Sequence, residues 1–550
     1  MLHIVVLLLA IPLRARAGSL HTRGATFDWS TINASTELSW TPCYDTFQCS
    51  KLTVPLQYSN RSAGEAQIAV LMSPSNYSSG DPNYLGPMLF NPGGPGGAGT
   101  SYVVTNDAYF RQVIGPQYDL VGFDPRGIGA STPPLALFHS PPEALEFYLN
   151  YPLNVNESDA DFGRFYAQAQ ILGMLAVDRY ELVAESVGTA AVATDMLQIA
   201  RAFGHEEVNY WGVSYGSVLG STFAAMFPDN VGKFIVDGNW SASLTLTDAA
   251  LSTVYTACVT AGPTACALYE PTPAGVQARL DALLTSARAT PHVVYNNTDP
   301  SNTLFGTVDA PLLVLQLFQM LYEPVSSAAA LFSALHALEQ GDAQPVFAGS
   351  VQAANDRLAT CDFDANAPFV TGFLDTAGPI ACGDVSPPAR VATIDEARDG
   401  YEAMLARSRF AGTWYPLSEG RCAGWNISAA DQLNGTFTTS TSTPILFISN
   451  TYDPVTPISG GRTMSSGFAG SVILTQNSTG HTSLSAPSAC TADVIRKYVV
   501  DGTLPVEGTV CEPDEVMFGM DTTGLELRGE RRVSRVDMGE VLRELKRARP

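Results

Sequence analysis

The run Gly212-Val213-Ser214-Tyr215-Gly216 constrains this chain more than any other stretch, because it joins an apolar, strand-like segment, Val208 to Trp211, to a helix-like segment that begins at Ser217. A serine at such a corner sits on a sharp strand-to-helix turn, and glycine two residues to either side lets the backbone fold back with no Cβ in the way. The hydroxyl is then presented at the end of a strand. A corner of this kind needs a sheet whose strands alternate with helices, and the rest of the chain is expected to supply one.

It does so in two blocks. Met88-Leu89-Phe90 precedes a glycine-rich loop, Tyr118 to Phe123 precedes Asp124-Pro125-Arg126-Gly127, and Lys233 to Val236 precedes Asp237-Gly238. Strand-like runs return at Pro444 to Ile448 and Ser471 to Leu474, and an amphipathic helix is expected from about Thr491 to Val500. Between the blocks, from Asn239 to Ser442, Ala and Leu recur at helical spacing, notably in Pro311 to Leu321 and Ser326 to Leu338, with proline-rich joints. The pattern predicts an α/β fold in which a mainly parallel sheet has helices on both faces, with a large, mostly helical cap inserted before the penultimate core strand. The expected division is a leader over 1–17, the first part of the core over 18–240, the cap over 241–435, the second part of the core over 436–515 and a tail over 516–550.

Composition narrows the setting. A formal net charge of -23 argues against nucleic acid, whose phosphates would be repelled over most of the surface. The apolar run Ile4 to Leu13 followed by Ala15-Arg16-Ala17 reads as a secretory signal, too short to span a bilayer. Potential N-glycosylation sequons begin at Asn33, Asn60, Asn76, Asn156, Asn239, Asn296, Asn426, Asn434 and Asn477. With 9 cysteines, an oxidising compartment is expected. The spacings point to bridges Cys43/Cys49, Cys258/Cys266 and Cys490/Cys511, with Cys382/Cys422 as a fourth pairing and Cys361 left over. Neither a later apolar run long enough for a transmembrane helix nor a lipid-anchor tail is read, so no stable membrane insertion is expected. The basic segment Arg528 to Pro550 is read as an amphipathic helix.

Ser214 needs a base, and the chain has 7 histidines. His3 lies in the leader, His21 near the mature start, His139 in a proline-rich loop, and His292 and His336 in the cap; His205 precedes the serine strand and belongs at its far end. That leaves His481, on a loop after the strand-like run ending at Leu474. A carboxylate should orient the imidazole, and Asp453 follows the preceding strand; Asp237 also ends a strand, but its neighbour Gly238 favours a turn role. The order Ser214, Asp453, His481 is that of a serine-centred acyl-transfer triad. Donors for an oxyanion are expected from Asn91-Pro92-Gly93-Gly94-Pro95-Gly96-Gly97-Ala98-Gly99, with Gly94 and Tyr215 as first candidates and Gly93 as a further one. No cofactor-binding motif and no zinc spacing is read, so neither cofactor nor metal is expected.

Taken jointly, Asn91-Pro92-Gly93-Gly94-Pro95-Gly96, Asp124-Pro125-Arg126-Gly127-Ile128-Gly129, Ser214-Tyr215-Gly216, Phe227-Pro228, Asp237-Gly238, Asp453 and Gly480-His481 resemble the secreted tripeptidyl aminopeptidases, relatives of proline iminopeptidases, over about residues 40 to 515. The resemblance implies an α/β-hydrolase core with a helical cap, and a serine exopeptidase that acts on peptides with a free N-terminus. Asp124 and Arg126 match a family turn and are assigned a structural role. The cap segments Ile380 to Asp384 and Cys422 to Trp425 are similar to family motifs as well, and Asp384 becomes a candidate for holding the substrate ammonium, against its reading as a helix-capping or turn aspartate beside a disulfide. A carboxylesterase or lipase using the same triad is the alternative, and a hydrolase-like binding protein without turnover is a further one.

Overall fold

The computed structural model describes residues 27–519, apart from residue 153 and residues 240–243, 299–302, 350–372 and 386–390. The expected leader over 1–17, Cys361 and the segment 520–550 therefore lie outside the described residues. The strands are β1 (Thr41–Cys43), β2 (Phe47–Pro55), β3 (Glu65–Ser73), β4 (Gly86–Asn91), β5 (Tyr118–Phe123), β6 (Val208–Val213), β7 (Val231–Asp237), β8 (His292–Asn296), β9 (Leu304–Val308), β10 (Leu446–Tyr452), β11 (Val472–Thr479) and β12 (Val510–Cys511). Among the described residues ten of them form one sheet in the order β1-β2-β3-β5-β4-β6-β7-β10-β11-β12. From β5 to β12 neighbours pair parallel, whereas β1, β2, β3 and β5 pair antiparallel. The parallel half is the sheet expected from sequence. The antiparallel leading edge and the two-residue β12 are additions.

Central parallel strands are covered on both faces, so they read as unbroken apolar runs, and alternate side chains go to opposite layers. Leu89, Tyr210, Phe234, Val236 and Phe447 pack on one side with Met196, Leu219 and Phe223 of the helices Thr189–Ala202 and Tyr215–Met226. Phe90, Trp211, Ile235, Leu446 and Ile448 pack on the other with Val103 and Phe110 of Gly99–Ile114 and with Ile495 and Tyr498 of Ala489–Asp501. Fully burying each such side chain contributes roughly 1.5–3 kcal/mol.

The described residues between β7 and β10 are largely helical and hold the hairpin β8–β9 as well. Its apolar cluster also takes in residues that precede the serine. Phe162 and Phe165, on the helix Asp159–Ser186, lie against Tyr415 with ring centroids 6.4 and 5.9 Å apart, and the Tyr151 hydroxyl donates to the Pro416 carbonyl at 3.2 Å. The helices Pro141–Leu149 and Asp159–Ser186, within the span read as core, thus pack with the cap. Disulfides join Cys43 to Cys49, Cys258 to Cys266, Cys382 to Cys422 and Cys490 to Cys511.

Arg126 ties the end of β2 to the helices Asp159–Ser186 and Thr189–Ala202. Its guanidinium is 1% exposed and makes a bidentate pair with Asp195 at 2.7 and 2.6 Å, while its other N–H groups donate to the carbonyls of Pro55, Leu56 and Ser186. The Tyr58 hydroxyl donates to Asp195 at 2.7 Å, and the Tyr58 and Ser59 N–H groups donate to Asp431, on the segment returning from the cap. Asp124 accepts from the N–H groups of Thr100 and Ala130, each at 2.9 Å, which closes the turn around it.

Candidate active site

Loops from β4, β6, β7, β10 and β11 share the carboxyl edge of the sheet, because these strands are consecutive neighbours running the same way. This edge is where ligands bind in open α/β sheets. Ser214 follows β6 with φ 60 and ψ -123, a sparsely populated conformation for a residue with a side chain. What holds it there is close packing. A Cβ on Gly212 would lie 2.3 Å from the Gly216 carbonyl oxygen and 2.5 Å from the Tyr210 hydroxyl, so residue 212 has to be glycine.

His481 and Asp453 meet. The imidazole Nδ1 lies 3.1 Å from each carboxylate oxygen, and both side chains are buried. Asp453 also accepts from the N–H groups of Val455, Thr456 and Thr482 at 3.0, 2.8 and 2.8 Å and from the Thr456 hydroxyl at 2.6 Å. Burial alone would push the Asp453 carboxyl up, but the neighbouring imidazole and these donors hold it below its ordinary value. An anionic acceptor at Nδ1 keeps the ring proton on that side and leaves Nε2 with its lone pair.

Ser214 stands on the same rim. Its N–H donates to the Asp237 carbonyl at 2.9 Å, and the Asp237 carboxylate accepts from the Ser483 N–H at 3.0 Å and the Ser483 hydroxyl at 2.5 Å, two residues beyond His481. Among the described residues neither the Ser214 hydroxyl nor His481 Nε2 has a hydrogen-bond partner, and no hydrogen bond joins them. Ser214 is 7% exposed and His481 1%. Catalytic hydrogen bonds are often long or unformed until substrate is bound. Asp237 binds the loop that carries the imidazole rather than the imidazole, and its burial pushes its carboxyl up to about 6 despite the Ser483 donors.

The glycine-rich loop after β4 packs against the serine corner. Gly93, at φ +86, lies so close that a Cβ there would be 2.3 Å from the Val213 carbonyl oxygen and 2.8 Å from the Tyr215 nitrogen. The Gly93 N–H is already taken by Asn91 Oδ1 at 2.9 Å, whereas the N–H groups of Gly94 and Tyr215 have no partner among the described residues. Of the three candidate donors, Gly93 thus has its N–H engaged, whereas those of Gly94 and Tyr215 are without a partner among the described residues.

Asp384 is engaged within the fold. Its carboxylate accepts from the Thr189 N–H at 3.0 Å and from the Thr189 hydroxyl, at the first turn of Thr189–Ala202, and the Thr189 hydroxyl is in turn hydrogen-bonded to the Tyr215 hydroxyl. These are the contacts of a helix-capping aspartate, one of its two sequence readings. Burial pushes its carboxyl up to about 6. Sequence reasoning missed several supporting residues. Asn450 Nδ2 donates to the Gly480 and Thr482 carbonyls at 2.9 and 2.5 Å, and the Thr456 hydroxyl lies 3.2 Å from His481 Nδ1. Only Thr456 carried a signal, its place in the Asp453 loop. Among the described residues no group of three or more His, Cys, Asp or Glu side chains is placed to hold a metal ion, and no helix is long and apolar enough to cross a membrane.

The chain is similar in sequence to known proteins. Residues 86–255 match a family model described as the alpha/beta hydrolase fold, and residues 408–511 match one described as TAP-like protein. A tripeptidyl aminopeptidase of Streptomyces lividans is 25% identical over 480 residues, covering 85% of this chain and 84% of its own length. Serine protease Hip1 of Mycobacterium tuberculosis is 26% identical over 523 residues, covering 86% of this chain and 91% of its own. Carboxylesterase B of the same organism is 26% identical over 547 residues, covering 92% and 96%. The chain is an α/β hydrolase of the serine type. Within that class it is related to the proteins named tripeptidyl aminopeptidase and serine protease Hip1, and its second core block matches the TAP-like model.

Proposed function

We propose that this chain is a secreted serine exopeptidase that hydrolyses peptide bonds near free N-termini, in the manner of tripeptidyl or prolyl aminopeptidases. The observation that carries the reading is the imidazole pinned through Nδ1 to Asp453, its Nε2 without a partner among the described residues, on the rim that holds the Ser214 hydroxyl and the N–H groups of Gly94 and Tyr215, which also have none there. In this reading Ser214 Oγ attacks the scissile carbonyl while His481 takes its proton, and the negative charge that develops on the carbonyl oxygen is met by the two N–H groups. Collapse expels the amine, which receives the proton from His481, and leaves an acyl-enzyme on Ser214. Water, deprotonated by the same imidazole, then releases the acyl peptide. Export is supported by the leader-like first residues, the disulfides and the exposed sequons at Asn33, Asn60, Asn76, Asn156, Asn426, Asn434 and Asn477.

Ser214→Ala is expected to abolish turnover of a free-amine tripeptide amide reporter and labelling by a fluorophosphonate; retained turnover would refute the assignment. The similarity to carboxylesterase B favours the second reading, an esterase with the same triad. Comparing free and N-acetylated tripeptide amides with short acyl esters separates the two, since an exopeptidase of this kind loses activity when the amine is blocked.

A further inference from the structure

The catalytic histidine is held from the cap as well as from the core. The N–H of His481 donates to the carbonyl of Tyr322 at 2.8 Å, and the Tyr322 ring stands edge-on to the imidazole, with centroids 5.0 Å apart and planes at 73°. Tyr322 lies in the turn between the cap helices Ala310–Met320 and Pro324–Glu339, within a cluster where Phe318 stands edge-on to it at 5.7 Å. The same turn approaches the histidine loop a second time. A Cβ on Gly480 would lie 3.0 Å from Pro324 Cδ, so the loop and the turn are in direct contact. Tyr322 is 9% exposed, and the Asp453 carboxylate is near enough to add to the effect of burial on its phenol.

We infer that Tyr322 is a positioning residue for the reaction, a cap side chain whose ring fixes the plane of the His481 imidazole and covers its pair with Asp453. The inference rests on the reading of His481 as general base. An imidazole joined to one carboxylate through one nitrogen can still swing about that bond. A ring edge against it limits the swing, and excluding water there strengthens the pair electrostatically. The backbone carbonyl of Tyr322 serves the loop whatever the side chain, so the ring is the part a substitution tests. The phenol hydroxyl has no partner among the described residues and is not part of the proposal.

The test uses the full-length enzyme with a free-amine tripeptide amide reporter. Tyr322→Ala is expected to lower kcat by about 10- to 100-fold, the scale of a misplaced catalytic group, with KM little changed, and to slow fluorophosphonate labelling of Ser214 in parallel. Tyr322→Phe, which keeps the ring, is expected to restore both. Should Tyr322→Ala fail to fold, Tyr322→Leu, which fills much of the volume without an aromatic edge, is read the same way. Unchanged kcat in a folded Ala or Leu variant overturns the inference. So does a rise in KM alone, which would make Tyr322 a substrate contact, or an equal loss in Tyr322→Phe, which would place the effect in the hydroxyl. His481→Ala is run alongside: activity retained there sinks the reading of the base itself rather than the role of Tyr322.

Discussion

Gly93→Ala is the sharpest perturbation the site offers, because the added methyl meets the serine corner on three sides. It would lie 2.3 Å from the Val213 carbonyl oxygen, 2.8 Å from the Tyr215 nitrogen and 2.9 Å from Ser214 Cβ. An ordinary contact needs about 3.5 Å, so the loop must retreat by roughly 1 Å, and holding an L-residue at this positive φ adds about 1–2 kcal/mol of strain. Such a retreat draws the Gly94 N–H away from the position of a developing oxyanion. Loss of one such donor costs about 10²–10³ in kcat. Since the donor acts on charge that exists only in the transition state, KM should move little. The assay is steady-state hydrolysis of a free-amine tripeptide amide, with fluorophosphonate labelling and thermal unfolding in parallel. Labelling should slow with kcat, because the phosphonyl oxygen uses the same N–H groups. A folded Gly93→Ala enzyme whose kcat stays within about threefold of the parent would refute both the donor assignment and the argument from packing.

Other perturbations test the frame around the site. Arg126→Ala strands the Asp195 carboxylate, 1% exposed, without its cation; a loss of about 3–5 kcal/mol is expected in denaturant unfolding. Burial pushes Asp237 and Asp384 from 3.8 to about 6, so the folded state holds protons there that the unfolded chain has released. The stability this gives is complete below the unfolded value and is lost as pH rises through about 6, by at most roughly 3 kcal/mol per carboxylate. Unfolding followed by calorimetry should therefore show greater stability near pH 5 than near pH 7.5, and Asp237→Asn should flatten that slope. Asn239 is 1% exposed, with its amide donating to the Val236 and Ile448 carbonyls. Glycopeptide mass spectrometry of protein secreted from a eukaryotic host should find the exposed Asn76 and Asn156 sequons modified and Asn239 bare.

The parallel half of the sheet was legible because strands buried on both faces are written as short apolar runs, and each run ended in a chemically distinctive loop. The antiparallel edge was not, because β2 carries Gln48, Ser50, Lys51 and Thr53 among its apolar residues, and neither β2 nor β3 leads into a motif. The hairpin β8–β9 was lost in the cap for the same reason: its strands alternate exposed and covered residues with Val293, Tyr295 and Phe305 outward, which leaves no continuous apolar signal. Order along the chain was enough to nominate Ser214, Asp453 and His481, since each follows a strand that ends at the same edge. What order cannot show is which distant segments meet. The bonds from Ser483 to Asp237 and from Thr189 to Asp384 join residues far apart in sequence, and no local pattern announces them.

The choice between Asp453 and Asp237 shows what three-dimensional placement adds. Both aspartates end adjacent strands and both are fully buried, and the sequence separates them only through Gly238 beside Asp237. Their surroundings push them in opposite directions. Asp453 is met by an imidazole, three backbone N–H groups and a hydroxyl and is held down as an anion, whereas Asp237 has one N–H and one hydroxyl to set against the same burial and is pushed up. Two unscreened carboxylates around one histidine loop would repel each other strongly in a medium of low dielectric. Partial neutralisation of Asp237 lowers that cost and leaves Asp453 as the anion that orients the ring, while Asp237 still fixes the loop through its carboxyl oxygens and the serine corner through its carbonyl. The division of labour follows from the count of donors at each carboxylate, which is a property of the folded site and not of either residue's place in the sequence.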